Sequence, residues 1–286
     1  MPRGFFLIAA GDVMGRAKRK GQQPTMAESA DRHDLYEASV QDVEVEIDFL
    51  DATFEKLRGR KALRFREDFC GTASAACEWV RRRSSNEANG VDLDRPTLDR
   101  GIDHRVSRLA ADAQLRVKLL QEDVCTVTAP PADIIGAFNF SYNIFKTRDA
   151  LRGYFENARR GLADDGLFFL DAFGGFEAIS EMKEKTKLDG FTYVWHQARY
   201  RPVTGEIRCH IHFHFPDGSK LKKAFTYDWR LWTLPEIREL LHEAGFGTVT
   251  VYWEGVDEDG EGNGVYEPDP HGEADPAWIA YIVAER

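Results

Sequence analysis

Apolar residues recur along this chain in two rhythms, and the change from one to the other divides it. Over residues 42–57 they stand at Val43, Ile47, Leu50, Phe54 and Leu57, a spacing that puts them on one face of a helix. Residues 63–69 form a short strand-like run, 72–82 a second helical segment and 88–93 a second strand. The stretch 95–113 reads as mostly helical, with Pro96 in its first turn, where a missing N–H costs nothing. A third strand is predicted at 115–120 and a fourth at 133–140, after the turn at Pro130 and Pro131. A helix over 148–162, a turn at Gly166 and a fifth strand at 167–173 complete the series. Strands alternating with helical segments of about ten or more residues predict βαβ units around a parallel sheet.

After residue 190 the period drops to two. Runs at 191–200, 206–215 and 220–229 alternate apolar and polar positions. The turns between them hold Pro202 to Gly205 and Pro216-Asp217-Gly218, so an antiparallel meander is expected over 190–230. A helix at 234–244 is announced by Thr233 and Glu236 in capping-box spacing and by Pro235, and it is closed by Gly245. A strand at 248–253 follows. Residues 254–276, rich in Asp, Glu, Gly and Pro, read as a long loop before a last strand at 278–284. Residues 1–25, with Arg16, Lys18, Arg19 and Lys20 among Gly, Gln and Pro, read as a disordered tail ahead of one domain at 26–286.

Composition narrows the possibilities. The chain has 286 residues, 43% of them hydrophobic, enough for the core of one large α/β domain. Its formal net charge of -10 argues against a nucleic-acid partner unless a basic patch is concentrated somewhere. Cys70, Cys77, Cys125 and Cys209 fall in no metal or disulfide spacing, which predicts free thiols. No apolar run approaches the roughly 20 residues of a membrane span. The run from Phe5 to Ala10 is short for a signal peptide. A cytoplasmic protein without membrane or metal is expected.

In an open parallel sheet the ligand lies beyond the carboxyl ends of the strands. The first such end reads Arg66-Glu67-Asp68-Phe69-Cys70-Gly71-Thr72-Ala73. Gly71 lets the backbone come close to a ligand, and the helix that follows offers free N–H groups. The second strand ends in Gly90-Val91-Asp92-Leu93-Asp94, where a carboxylate is placed to accept from a ribose diol. The third leads into Gln121-Glu122-Asp123-Val124, a carboxylate for an exocyclic amine beside an apolar side chain for a purine face. Together they fit a ligand containing adenosine.

These segments resemble the class I S-adenosylmethionine-dependent methyltransferases. Glu67 matches the acidic position of the family's first motif, and Cys70, Gly71 and Thr72 match its turn. Asp92 with Leu93 matches the ribose position, Asp123 and Val124 the adenine contacts, and Asn139 the region lining the methionine part. The resemblance runs from about Leu35 to the C-terminus. It implies a Rossmann-like sheet with a closing antiparallel hairpin, S-adenosyl-L-methionine as cofactor, and transfer to an N or O acceptor, a small molecule. Two positions depart from the pattern: Phe69 and Ala73 stand where glycine is usual.

The acceptor site is sought in three places. Tyr36 resembles an N-terminal aromatic that closes over the methionine end. Tyr142 follows the fourth strand and could orient an acceptor or act as a base. His196 lies among Trp195, Trp229 and Trp232 in the antiparallel insertion, which is expected to serve as a lid or as a homodimer surface. His210, His212 and His214 share one strand face, roughly 6.5 to 7 Å apart, a spacing that suits a solvated surface better than one metal ion. Two other readings stay open, an NAD(P)-binding Rossmann oxidoreductase and a non-catalytic cofactor-binding module. The missing GxGxxG and the closing hairpin argue against the first.

Overall fold

The computed structural model describes residues 23–40, 43–256 and 262–286. The basic cluster from Arg16 to Lys20 lies outside the described residues.

Three helices come first among the described residues: α1 (Met26–Ser29), α2 (Arg32–Val40) and α3 (Val43–Arg58). Then come β1 (Arg64–Asp68), α4 (Ser74–Arg82), β2 (Glu87–Asp92) and α5 (Arg95–His104). The stretch 95–113 is mostly helical, as expected, with an interruption after His104. A 3-10 turn at Val106–Arg108 and the short α6 (Ala111–Gln114) follow, because the backbone leaves helical geometry at Arg105. Next are β3 (Val117–Gln121), β4 (Ala132–Ala137), α7 (Arg148–Gly161) and β5 (Leu162–Gly174). The insertion holds β6 (Met182–Leu188), β7 (Phe191–Arg201), β8 (Glu206–His214) and β9 (Lys220–Arg230). The chain closes with α8 (Leu234–Glu243), β10 (Val249–Val256), β11 (Gly262–Pro268) and β12 (Trp278–Glu285).

The main sheet has the order β11-β10-β12-β5-β4-β1-β2-β3. Its βαβ half is parallel, and β12 pairs antiparallel between β5 and β10. Strands buried on both faces need apolar side chains at every position. Accordingly Ile134 and Phe169 join one core cluster with Leu50, Phe54 and Trp79 from α3 and α4. Their neighbours Ile135 and Phe168 join the other, with Phe155 of α7 and Leu240 of α8. Helices therefore cover both faces, and the strand ends are left for chemistry.

The insertion is a separate sheet, β6-β7-β8-β9. It is one strand larger than the expected meander. Sequence Met182–Leu188 is apolar only at its ends, so β6 lacks the hydrophobic alternation that marks a strand, although its lysines alternate. The expected loop at 254–276 is also corrected. Its residues 262–268 are β11, an edge strand held to β10 by the backbone ladder, with little apolar burial to betray it.

Candidate functional site

The order of strands reverses between β1 and β4, the position where such sheets bind ligands. Arg66, Glu67 and Asp68 belong to β1 and not to the loop after it. Arg66 and Asp68 are buried and face each other at 2.9 Å beneath the site, and the Tyr154 hydroxyl donates to Asp68 at 3.0 Å.

The loop that follows is left-handed three times, at Phe69 (φ 59°), Gly71 (φ 53°) and Ala73 (φ 61°). Phe69 and Ala73 are the two departures from glycine, so the family's backbone path is kept where an L side chain opposes it, at on the order of 1 kcal/mol each. Packing holds the path: the Phe69 ring meets Tyr154 at 5.4 Å, and Ala73 is buried. Gly101 brings α5 onto this loop, since a Cβ there would stand 2.7 Å from the Thr72 carbonyl oxygen. Gly90 gives Cys70 room, because a Cβ would lie 2.8 Å from its sulfur. Cys70 is thus packed, with its thiol pushed up by burial.

The carboxylates are held from the backbone. Ala73 has no side-chain acceptor to cap α4, and Glu67 supplies it, accepting from the Ala76 N–H at 2.9 Å. Burial, with Asp92 and Asp68 adding, pushes the Glu67 carboxyl up to about 8. Asp92 accepts from the Gly71 N–H and the Asp94 N–H, both at 2.9 Å, and ties the end of β2 to the first loop. Burial raises its pKa, opposed by those N–H groups. Leu93 beside it is 60% exposed and offers an apolar face at the crevice. Asp123 accepts from the Cys125 N–H at 2.8 Å. Val124 was expected to cover a purine; its side chain is instead buried in the core with Val91 and Tyr142.

Asn139 and Phe140, after β4, are both left-handed at φ 56°. Asp171, near the end of β5 and 7% exposed, stabilises this turn by accepting from the Phe140 N–H at 2.9 Å and from the Asn139 N–H. Burial pushes its carboxyl up to about 7. Glu67, Asp92 and Asp171 have no basic side chain within ion-pair distance among the described residues, and all three are shifted toward protonation by burial. Sequence reasoning missed Asp171. The available signal was a carboxylate interrupting the apolar run of a strand at its carboxyl end.

Tyr36 of α2 packs on Phe225 at 5.0 Å between ring centroids, and the Tyr227 hydroxyl bonds to its own. From Tyr227 an aromatic wall continues through Trp229 at 4.4 Å, Trp229 to Phe173 at 6.4 Å and Phe173 to Phe140 at 4.7 Å. The wall joins the inner face of the insertion to the turn held by Asp171. Glu37, one residue beyond Tyr36, accepts from the Thr72 hydroxyl at 2.6 Å and pairs with Arg105, which anchors α2 over the first loop. A polar cavity of about 210 Å³, lined by Asp34, Glu37, Thr72, Arg100 and Arg105 among others, lies behind that anchor.

Two expected catalytic residues are placed elsewhere. Tyr142 is 1% exposed, and its hydroxyl donates to the Asp171 carbonyl at 2.7 Å, so it is core and presents no group to an acceptor. His196 is opposite His210 and Lys183 on the outer face of the insertion, while the aromatic wall occupies the inner one. The Lys223 N–H donates to His212 Nδ1 at 3.0 Å, which leaves the His212 proton on Nε2, 3.3 Å from His196 Nδ1. The imidazoles bond to one another. Among the described residues no group of three or more His, Cys, Asp or Glu is arranged to hold a metal. Among those residues, too, no helix is long and apolar enough to cross a membrane.

No protein-family model and no curated protein sequence matches the chain. Solved structures do. An S-adenosylmethionine-dependent methyltransferase from Clostridium acetobutylicum is similar at TM-score 0.66 and 15% identity, over 88% of this chain and 96% of its own. An amino pentose methyltransferase from Micromonospora echinaspora, solved with S-adenosylmethionine bound, is similar at TM-score 0.63 and 17% identity, over 89% and 95%. A sugar N-methyltransferase from Streptoalloteichus is similar at TM-score 0.60 and 15% identity, over 95% and 97%. The chain has the class I S-adenosylmethionine-dependent methyltransferase fold. At these identities the likeness is one of architecture, insertion included.

Proposed function

We propose that this chain is an enzyme that transfers a methyl group from S-adenosylmethionine to a nitrogen of a small, hydroxylated acceptor. One observation carries the reading. Three carboxylates near strand ends, buried Glu67 and Asp171 and half-buried Asp92, stand without a compensating cation among the described residues. Such a site favours a ligand bearing positive charge, as the sulfonium and amino groups of S-adenosylmethionine do. It disfavours the pyrophosphate of NAD(P), which would bring negative charge to a site with no basic side chain among the described residues to offset it.

The residues fit that ligand in a definite order. Asp92 takes the ribose diol and Leu93 covers the adenine edge, with Asp123 toward the exocyclic amine. The loop from Cys70 to Thr72 and the turn at Asn139 line the methionine portion, with Glu67 beneath. When bound, S-adenosylmethionine supplies a methyl group on a sulfonium, so transfer is an in-line displacement that chiefly needs alignment and exclusion of water. The acceptor nitrogen forms its bond to the methyl carbon as the carbon–sulfur bond breaks. Asp171, with its carboxyl pushed up to about 7, takes the ammonium proton of the acceptor. Tyr36, Tyr227 and Trp229 form the acceptor wall, apolar rings of which the two tyrosines carry hydroxyl tips, a mixture that suits a sugar. The fold relatives named for amino pentose and sugar nitrogen acceptors support the nitrogen choice.

The test is calorimetric titration with S-adenosylhomocysteine, with NADH as control, on wild type and Asp92→Ala. Micromolar binding weakened about 10- to 100-fold in the variant is expected, the loss of one charged hydrogen-bonding group. Binding of NADH alone would return the oxidoreductase reading. Tight binding with no turnover on any amino sugar would favour a cofactor-binding module.

A further inference from the structure

Two phenylalanines beside the crevice have a backbone that favours glycine. Phe69 in the first loop and Phe140 in the turn after β4 are left-handed, at φ 59° and 56°. A bulky side chain opposes such a backbone, which persists only where the surroundings impose it. At Phe140 the Asp171 carboxylate does so, through two backbone N–H groups. At Phe69 the ring itself is held. It meets Tyr154 at 5.4 Å and Phe145 at 6.2 Å between centroids. Tyr154 and Phe145 in turn stack at 5.3 Å with their planes 26° apart. The Tyr154 hydroxyl donates to Asp68, the residue before Phe69, at 3.0 Å. Three rings thus close a triangle between the first loop, α7 and the connection from β4 to α7. The path continues to the insertion. The Phe145 carbonyl accepts from the Trp232 indole N–H at 3.1 Å. The Arg230 guanidinium lies 3.6 Å from the centre of the Trp232 ring and donates to the Lys146 carbonyl at 3.3 Å. Arg230 ends β9, the strand that carries Tyr227 and Trp229 of the acceptor wall. Tyr154 and Trp232 are buried in one core cluster, with Phe69 and Phe145 packed against it. Glycine would take the Phe69 backbone path without steric cost. The ring therefore serves something other than the shape of the loop.

We propose that Phe69 and Phe145 are positioning residues that couple the cofactor loop to the acceptor wall. The coupling rests on S-adenosylmethionine occupying the crevice. The loop has two arrangements, one left-handed at Phe69 with the three rings clamped, the other relaxed with the rings apart. Cofactor held by Cys70 to Thr72 selects the first. Tyr154 and Phe145 pass that selection to Trp232, and Arg230 passes it to the end of β9. The wall is thus firm once the methyl donor is in place, and the acceptor meets a finished site. Coupling of this kind is reciprocal, so loosening Phe145 weakens the hold on the cofactor.

The test is amide hydrogen exchange of the full chain with and without S-adenosylhomocysteine, on wild type and Phe69→Gly. In the wild type, exchange is expected to slow at least about fivefold in the first loop and again at residues 230–233, the far end of the path. In Phe69→Gly the first loop should still be slowed, and residues 230–233 should not. A double-mutant cycle reads the same coupling as affinity. Phe145→Leu alone should weaken S-adenosylhomocysteine about fivefold or more, and less than about twofold in the Phe69→Gly background. Protection confined to the first loop of the wild type overturns the proposal. So does protection at 230–233 that survives Phe69→Gly, or an equal loss of affinity in both backgrounds. Failure of the wild type to bind S-adenosylhomocysteine at all is a different result, which removes the cofactor site and the coupling with it. If a substitution prevents folding, exchange at 230–233 in the wild type decides alone.

Discussion

The two sheets of this molecule place their chemistry by different rules. In the main sheet both faces lie under helices, so Ile134 and Ile135 are equally buried, and polar groups survive where strands end. Glu67, Asp92 and Asp171 are such endings. In the insertion one face packs and the other is wet, so the side of the sheet decides. Trp195 and Trp229 face the site, and His196 and His212 lie half-buried on the outer face. A residue's distance along the strand is informative in the first sheet, and its parity in the second.

The contrast predicts unequal costs for removing a carboxylate. Asp68→Ala leaves Arg66 buried and uncompensated, a loss of about 3–5 kcal/mol. In a chain of this size that lowers the melting temperature by roughly 10 °C. Asp228→Ala breaks an exposed pair with Arg208 and is expected to cost under about 1 kcal/mol. Equal shifts in thermal unfolding would remove the distinction between the sheets.

Next in size is Asp171→Asn. On an acceptor amine it is expected to lower kcat about 100-fold or more and to abolish the rise of the rate through pH 7. Tyr142→Phe, which loses one buried hydrogen bond to the Asp171 carbonyl, is expected to cost about 1 kcal/mol of stability and leave kcat near wild type. A melting-point loss in Asp171→Asn with an unaltered pH profile would assign Asp171 to the turn at Asn139 and Phe140 alone.

These two residues also show what the sequence could reveal. The parallel strands were legible because burial on both faces makes them long apolar runs between helices. The first-loop and second-strand carboxylates were legible through their spacing. Tyr142 misled because it follows a strand end, and nothing local discloses that the 3-10 turn folds its ring back into the core. His196 misled because its neighbours in sequence are aromatic, whereas its neighbours across the register are His210 and Lys183. Strand β6 and strand β11 escaped notice since edge strands held by backbone ladders need little hydrophobic pattern. Glu37, which anchors α2 to Thr72, had no local signal at all.

The sheets should also respond oppositely to pH. Glu67 has a folded pKa of about 8 and Asp171 about 7, both above their unfolded values. Folding is therefore favoured most below about pH 4 for these groups, and stability is lost as pH rises through 7 and 8. His212 is depressed to about 4 by burial and by His196 and His210, so its contribution is present above about 6.5 and lost as pH falls through 4. Glu67→Gln should flatten the alkaline limb of the melting temperature profile, and His212→Gln the acid limb. S-adenosylhomocysteine, whose amino group offsets the carboxylates, should raise the melting temperature more at pH 8 than at pH 5.

The smallest effect concerns backbone strain, which both sheets carry. Ala73 and Lys223 are left-handed at φ 61° and 52°. Glycine adopts that backbone without steric cost but loses more freedom on folding. At Ala73 the relief is offset by loss of a buried methyl, so Ala73→Gly should be close to neutral. Lys223 is exposed in the irregular pairing of β8 and β9, with no packed side chain to lose. Lys223→Gly should keep its N–H bond to His212 and gain up to about 1 kcal/mol in denaturant unfolding. A gain at Ala73 exceeding that at Lys223 would mean that the first loop, and not the insertion, stores the larger unrelieved strain.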